Sequence, residues 1–272
     1  MEGGGIKVTR KKRIGIIGFG QIGSFLYQEI GEHPEFGLEV AFVHEVVKER
    51  TKEVPASILL DRMEDFEKFR VDAVIEVAHP EAVRSYGPLI LDKTNFFLLS
   101  VTALADASLE RKLLELAKSK NRKLYIAHGA TVGLDAIQDG KESWEKITMT
   151  MRKNPKNINF DNAKQWDPEK IVRETVLYDG PTRGICPLFP KNVNSHATLA
   201  LAGIGLDRTR SILIADPKLD LSIIEIEAEG GGNRIHIVRS NPIKGVSGKL
   251  TLLSVLESVR KIQDVGPGLQ IL

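Results

Sequence analysis

Residues 13–28 read Arg-Ile-Gly-Ile-Ile-Gly-Phe-Gly-Gln-Ile-Gly-Ser-Phe-Leu-Tyr-Gln, and this stretch decides the fold. An apolar run ends in Gly18-x-Gly20-x-x-Gly23, after which the pattern becomes helical. Gly18 permits a sharp turn, Gly20 lets a phosphate approach the backbone, and Gly23 lets the helix lie close to the strand. The free N–H groups and the dipole of the helix N-terminus then point at an anion. The stretch therefore predicts a strand, a turn and a helix that bind the pyrophosphate of a dinucleotide.

An acidic residue follows the next predicted strand. Residues 38–43 form an apolar run that leads to Glu45, about 20 residues beyond the last glycine. At this place in a dinucleotide-binding fold, a carboxylate accepts a hydrogen bond from the adenosine ribose and repels a 2′-phosphate. Lys48 and Arg50 follow closely and can offset that repulsion. We therefore expect NAD or NADP as the cofactor, with Glu45 favouring NAD.

Composition excludes several classes of function. The 272 residues are 42% hydrophobic and 27% charged, with 38 Lys and Arg against 36 Asp and Glu, a formal charge of +2. No basic block dominates and no apolar run is long enough to span a bilayer, so we expect neither nucleic acid nor a membrane as a partner. No His/Cys/Asp cluster has the spacing of a metal site. The single cysteine, Cys186, excludes an intramolecular disulfide and favours a reducing, cytoplasmic location.

The pattern of predicted strands and helices changes near the middle of the chain. After a tail-like segment, residues 1–12, residues 13–128 alternate strands and helices as in a doubly wound parallel sheet of the Rossmann type. Residues 129–240 read as a second, α+β domain with an open mixed sheet, including a hairpin that turns at residues 230–233. A last helix, over residues 250–262, is expected to return to the first domain, which would then comprise residues 13–128 and 241–272. The predicted fold class is thus α/β with a second α+β domain.

A set of spaced motifs extends this interpretation. In chain order they are Gly18-Phe-Gly-Gln-Ile-Gly23, Val77-Ala-His-Pro-Glu-Ala82, Ser100-Val-Thr-Ala-Leu-Ala-Asp106, Gly129-Ala-Thr-Val-Gly-Leu-Asp135, Phe189-Pro-Lys-Asn-Val-Asn194, Ala215-Asp-Pro217 and Asn241-Pro242. Together they resemble the L-aspartate dehydrogenase family, including the animal aspartate dehydrogenase domain-containing proteins, over nearly the whole chain from Arg13. The resemblance implies NAD(P)-dependent oxidative deamination of L-aspartate to iminoaspartate or oxaloacetate plus ammonia. It also implies that the second domain supplies the substrate pocket and the contacts of a homodimer.

One position departs from the family. The resemblance implies a catalytic histidine a few residues after Ala215-Asp-Pro217, where this chain has Ile224, and no histidine occurs between His196 and His236. An aliphatic side chain cannot transfer a proton. Two alternatives stay open: another histidine takes over, with His196 first and His128 second, or the chain is a catalytically impaired dinucleotide-binding relative. A purely structural role for His196, near a helix start, is the competing interpretation.

The remaining site residues come from the glycine turn, the strand ends and the loop before His196. Arg183, Lys191 and Lys244 are candidate partners for the two carboxylates of a dicarboxylic amino acid such as L-aspartate. The predicted cofactor contacts are Gly18, Gly20, Gln21, Ile22, Gly23, Glu45, Ala78, His79, Ala130, Asn192 and Asn194.

Overall fold

The first half of the chain forms a five-stranded sheet in a computed structural model that describes residues 10–242 and 248–262. All neighbouring strands pair in parallel, in the order β2-β1-β3-β4-β5, which confirms the predicted parallel sheet. The first strand begins at Lys12, inside the segment expected to be a tail, and residues 1–9 of that segment lie outside the described residues. The strands are β1 Lys12–Ile17, β2 Leu38–His44, β3 Ala73–Glu76, β4 Asn95–Leu98 and β5 Leu124–Ile126.

Three helices connect these strands and cover both faces of the sheet. They are α1 Gln21–Glu32, α2 Pro80–Lys93 and α3 Ala107–Ser119. Successive side chains of a strand point to opposite faces, so Val74 of β3 packs in the core with α2 and α3, whereas Ile75 packs in the core with α1. Short 3-10 helices occur at Pro34–Phe36, Lys48–Thr51, Ala56–Ile58, Met63–Phe69, Val101–Ala105, Pro155–Asn157 and Pro168–Lys170.

The second half forms a mixed sheet in the order β10-β9-β6-β8-β7. Strands β6 and β8 pair in parallel and the other neighbours pair antiparallel, as the prediction of an open mixed sheet required. In the hairpin between the last two strands, Gly231 and Gly232 have φ of 57° and 77°, which suits a two-residue turn and favours glycine. The elements are α4 Leu134–Asp139, β6 Lys146–Lys153, β7 Thr175–Pro181, α5 Thr182–Ile185, α6 Asn194–Ala202, β8 Arg210–Ala215, β9 Leu221–Gly230 and β10 Asn233–Pro242.

The last helix, α7 Lys249–Arg260, packs back against the first sheet. Its Val255 and Val259 are fully buried in the same core as Ile14 of β1 and Leu26 of α1, which confirms the predicted return. The division into domains of residues 13–128 with 241–272 and of residues 129–240 stays a prediction, and residues 243–247 and 263–272 lie outside the described part.

The strand order places a crevice at the edge of the first sheet. The chain leaves β1 to form β2 on one side and then returns to form β3 on the other side of β1. In open α/β sheets, ligands bind beyond the carboxyl ends of the strands at such a switch point. No helix in the two described ranges is long and apolar enough to cross a membrane.

Candidate active site

A cavity of about 350 Å³ lies where the two sheets meet. One wall consists of the turns that follow the strands of the first sheet, and the opposite wall consists of side chains of the second sheet. From the first wall come Gly20, Ala78, His79, Ser100 and His128, and from the second come Met151, Lys153, Ser222, Ile224 and Arg239.

The glycine turn fits a bound phosphate. A Cβ on Gly23 would lie 2.0 Å from the carbonyl oxygen of Gly18, and one on Gly18 would lie 2.7 Å from the Cβ of Ala78. A Cβ on Gly20 would meet no atom within 4 Å, so Gly20 borders open space within the cavity. Gly20 also precedes α1, whose first turn has no acidic residue and no side-chain cap. The N–H groups of that turn are therefore available to an anion.

Glu45 holds the glycine turn from behind. One carboxylate oxygen accepts from the N–H of Phe19 at 2.7 Å, and the other accepts from the N–H of Val47 at 2.9 Å. Burial raises the pKa of this carboxyl, but these N–H donors and Arg50, at 3.5 Å, outweigh it and lower the pKa overall. Glu45 is therefore an anion at neutral pH, as hydrogen bonding to a ribose hydroxyl requires. Its contact with a ribose stays a prediction.

A second carboxylate, Glu76, holds two turns of the same wall together. Its side chain is fully buried at the end of β3 and accepts from the N–H groups of Ala78 and His79, each at 2.8 Å. It also accepts from the N–H of Ser100 at 3.0 Å and from the Ser100 hydroxyl at 2.8 Å. Burial raises the pKa of Glu76 while the four donors oppose that rise. The sequence analysis did not single out Glu76, although an acid at the end of an apolar strand is a usable signal.

The second sheet places Ile224 on the cavity wall. In the strand register Ile224 faces Met151 of β6 on one side and Arg239 of β10 on the other, and all three line the cavity. The position at which the resemblance implies a histidine therefore does face the space that a substrate would fill.

This wall carries cations without carboxylate partners. Arg239 is only 8% exposed, and one of its terminal nitrogens donates to the carbonyl oxygen of Ala130. Its Nε and Nη2 are buried and have no hydrogen-bond partner among the described residues. Burial and the nearby Arg239 lower the pKa of Lys153 to about 8. No Asp or Glu belongs to the described lining, so the cavity attracts anions.

The two histidines predicted to transfer protons lie in different surroundings. His196 is fully buried inside the second domain, where its Nδ1 bonds to the hydroxyl of Ser211 at 2.9 Å, and it does not line the cavity. Burial, with a contribution from Lys153, lowers the pKa of His196 to about 3, so its ring stays neutral. His128 does line the cavity, and burial together with Lys261 lowers its pKa.

Most of the other predicted residues line the cavity, whereas Gly18, Gly23 and Glu45 are not part of its lining. Asn192 and Asn194 line it, and the side-chain oxygen of Asn194 accepts from the N–H of Thr102 at 3.1 Å, which links the start of α6 to the turn after β4. Lys191 lines it too and contacts Asp161 at 3.2 Å. Gln21, Ile22 and Ala130 are also on the wall.

Of the three expected carboxylate partners, Lys191 lines the cavity. Arg183 forms ion pairs with Asp207 and Glu110 and is not part of the lining, which corrects its expected place near the site. Lys244 lies outside the described residues. Sequence reasoning missed Lys153 and Arg239, although strand alternation places both on inward-facing positions.

Comparison with known proteins agrees with this geometry. Residues 18–127 match the NAD binding domain of homoserine dehydrogenase, and residues 135–262 match the C-terminal domain of aspartate dehydrogenase. An aspartate dehydrogenase domain-containing protein of Xenopus tropicalis is 36% identical over 230 residues, which cover 82% of this chain and 81% of that protein. The L-aspartate dehydrogenase of Methanosarcina acetivorans is 33% identical, covering 95% of this chain and 98% of its own.

A solved structure shares the fold. The aspartate dehydrogenase of Thermotoga maritima superimposes with a TM-score of 0.73 at 25% identity, covering 94% of this chain and 99% of that one. With the cavity, the glycine turn and the matches over both halves, the chain belongs to the aspartate dehydrogenase family.

Proposed function

We propose that this protein catalyses the NAD(P)-dependent oxidative deamination of L-aspartate to iminoaspartate, which water converts to oxaloacetate and ammonia. The observation that carries the proposal is the guanidinium of Arg239, which has no carboxylate partner and leaves Nε and Nη2 unbonded, in a cavity whose described lining contains no carboxylate. A buried cation without an anionic partner is costly for the free protein. A carboxylate of the substrate would supply that partner.

The cofactor is NAD or NADP, held by the first wall. Gly20 and the N-terminus of α1 would receive the pyrophosphate, and Glu45 would accept from the adenosine ribose. Ala78, His79, Ala130, Asn192 and Asn194 would surround the nicotinamide end, since all five line the cavity. When bound, the nicotinamide accepts a hydride from the substrate Cα.

The protein's own residues bind and orient the substrate. Arg239 lines the cavity, and its Nε and Nη2 are buried without a partner among the described groups. A turn of the side chain toward the cavity would let these two nitrogens give one carboxylate a two-pronged contact. Lys191, from the loop before α6, lines the same cavity and would supply a second cation for the other carboxylate on leaving its ion pair with Asp161. The apolar Met151 and Ile224 exclude water from the reacting carbon, which strengthens both charge contacts.

The direct test is turnover of L-aspartate by the purified protein. Addition of L-aspartate with NAD⁺ or NADP⁺ at alkaline pH should produce absorbance of the reduced nicotinamide, and D-aspartate should not. Binding of the reduced cofactor without turnover in either case would contradict the proposal. That result would favour the second candidate, a dinucleotide-binding relative without turnover, for which Ile224 is the observation.

The assembly and location that the sequence predicts belong to the same proposal. A homodimer is expected from the resemblance, and light scattering of the purified protein measures it. We infer a reducing, cytoplasmic location from the sequence, in which Cys186 is the single cysteine. Fractionation of the source cells tests that location.

A further inference from the structure

One amine on the cavity wall is not used by the proposed binding of cofactor and carboxylates. Lys153 is the last residue of β6 and follows Met151 on the inward-facing side of that strand. Met151 faces Ile224 in the strand register, so Lys153 lies one step along the same face from the position where the resemblance implies a histidine. Ser222, two residues before Ile224, also lines the cavity.

The surroundings of Lys153 favour its neutral form. Arg239 from β10 and His196 from α6 interact with it electrostatically, and Lys191, His79 and His128 face the same cavity. None of these groups is an acid, and no hydrogen bond or ion pair joins the Lys153 amine to another described residue. Burial beside a second cation is the arrangement that lowers the pKa of lysine and makes it a base near neutral pH.

We propose that Lys153 is the catalytic base of this enzyme and takes the role of the histidine missing at Ile224. The inference rests on the proposed dehydrogenase function. The neutral Nζ accepts a proton from the α-ammonium of L-aspartate, so an N–H bond of the substrate breaks and an N–H bond forms on Nζ. The electron pair left on the substrate nitrogen forms the C=N bond of iminoaspartate as the Cα–H bond gives its hydride to the cofactor. The lysine later returns its proton to water.

A competing role, in which Lys153 only binds a carboxylate, predicts different kinetics. Lys153→Arg keeps the positive charge but cannot accept a proton at the working pH. If Lys153 is the base, this variant should lose about 10²-fold or more in kcat while KM for L-aspartate changes little. If Lys153 only anchors a carboxylate, Lys153→Arg should retain kcat.

The experiment compares wild type, Lys153→Arg, Lys153→Ala and the matched control Lys156→Met, an exposed lysine three residues further on. The wild-type profile of kcat/KM should rise with pH and level off near the pKa of Lys153, and both Lys153 variants should lose that step. Added ethylamine should restore activity to Lys153→Ala. Fluorescence titration with NADH should give the same affinity in all four proteins, which shows that the variants are folded.

The outcomes separate this inference from the function on which it rests. Loss of kcat with rescue by ethylamine supports the assignment. An active wild type with unchanged kcat and pH profile in both Lys153 variants would overturn the assignment and leave the dehydrogenase function standing. An inactive wild type that binds NADH would overturn the function and the assignment together.

Discussion

Replacing Arg239 should weaken substrate binding and at the same time stabilise the protein. The guanidinium makes one bond, to the carbonyl oxygen of Ala130, and leaves Nε and Nη2 buried without partners. Each buried donor without a partner costs about 1–3 kcal/mol, so Arg239→Met should raise the free energy of unfolding by about 1–3 kcal/mol after the lost Ala130 contact is subtracted. Charge-assisted hydrogen bonds to a carboxylate contribute about 1.5–3 kcal/mol, which corresponds to a KM for L-aspartate raised by about 10- to 150-fold.

Two measurements check this prediction, one of which needs no turnover. Steady-state kinetics gives KM, and thermal unfolding with and without succinate, a dicarboxylate that cannot react, gives binding directly. The control is Arg234→Met on the same strand, where the exposed guanidinium already pairs with Glu227 at 3.4 Å and Glu229 at 3.3 Å. Unchanged KM and unchanged stabilisation by succinate in Arg239→Met would refute the placement of the carboxylate. A large loss of stability in that variant would show that the guanidinium has a structural partner in solution.

Three further expectations concern the cofactor and the effect of pH. Glu45→Ala should weaken NADH binding and free Arg50 to attract a 2′-phosphate, so the preference for NADH over NADPH should fall by about tenfold in fluorescence titrations. If the wild type binds NADPH more tightly than NADH and the variant behaves in the same way, Glu45 does not lie at the ribose. Gly20→Ala should keep the wild-type melting temperature but bind NADH at least about tenfold more weakly, because the added Cβ would meet only cavity space. Gly23→Ala should instead lower the melting temperature, because its Cβ would lie 2.0 Å from the carbonyl oxygen of Gly18. Equal behaviour of the two variants would contradict this expectation. The unfolded chain keeps the Lys153 proton up to about its ordinary pKa of 10.5, whereas the folded protein releases it above about 8. Between these two pH values the unfolded state therefore binds more protons than the folded state. The free energy of unfolding consequently rises with pH in this window. Lys153→Met should remove that rise, as urea titrations on either side of the window measure, and an identical pH dependence in variant and wild type would exclude the low pKa.

The parallel sheet was predictable because each of its determinants is local in the sequence. The glycine turn, the apolar runs and the polar strand ends recur along residues 13–128, and parallel strands bring those ends to one edge. The hairpin was equally local, since Gly231 and Gly232 supply the positive φ of its turn.

The cavity-lining side chains of the second sheet were harder to predict from the sequence. His196 follows two asparagines at a helix start and so resembles a site residue, but residues 195–200 of α6 are buried and His196 is not part of the cavity lining. Arg239 and Lys153 come near each other because β10 and β6 both pair with β9. The pairing of β6 with β9 joins distant parts of the chain. Alternation indicates which face a residue takes, but not which strand stands next to it.

The four hydrogen bonds that Glu76 accepts affect how the turns of the first cavity wall can move. The Glu76 carboxylate accepts hydrogen bonds from Ala78 and His79 in the turn after β3 and from Ser100 in the turn after β4, and so connects the two turns. Separation of these two turns would leave buried hydrogen-bonding groups of Glu76 without partners, so we expect the turns to move together. We therefore expect any opening that admits or releases a ligand to come from the opposite wall or from the connections between the sheets, while these two turns keep their relative position.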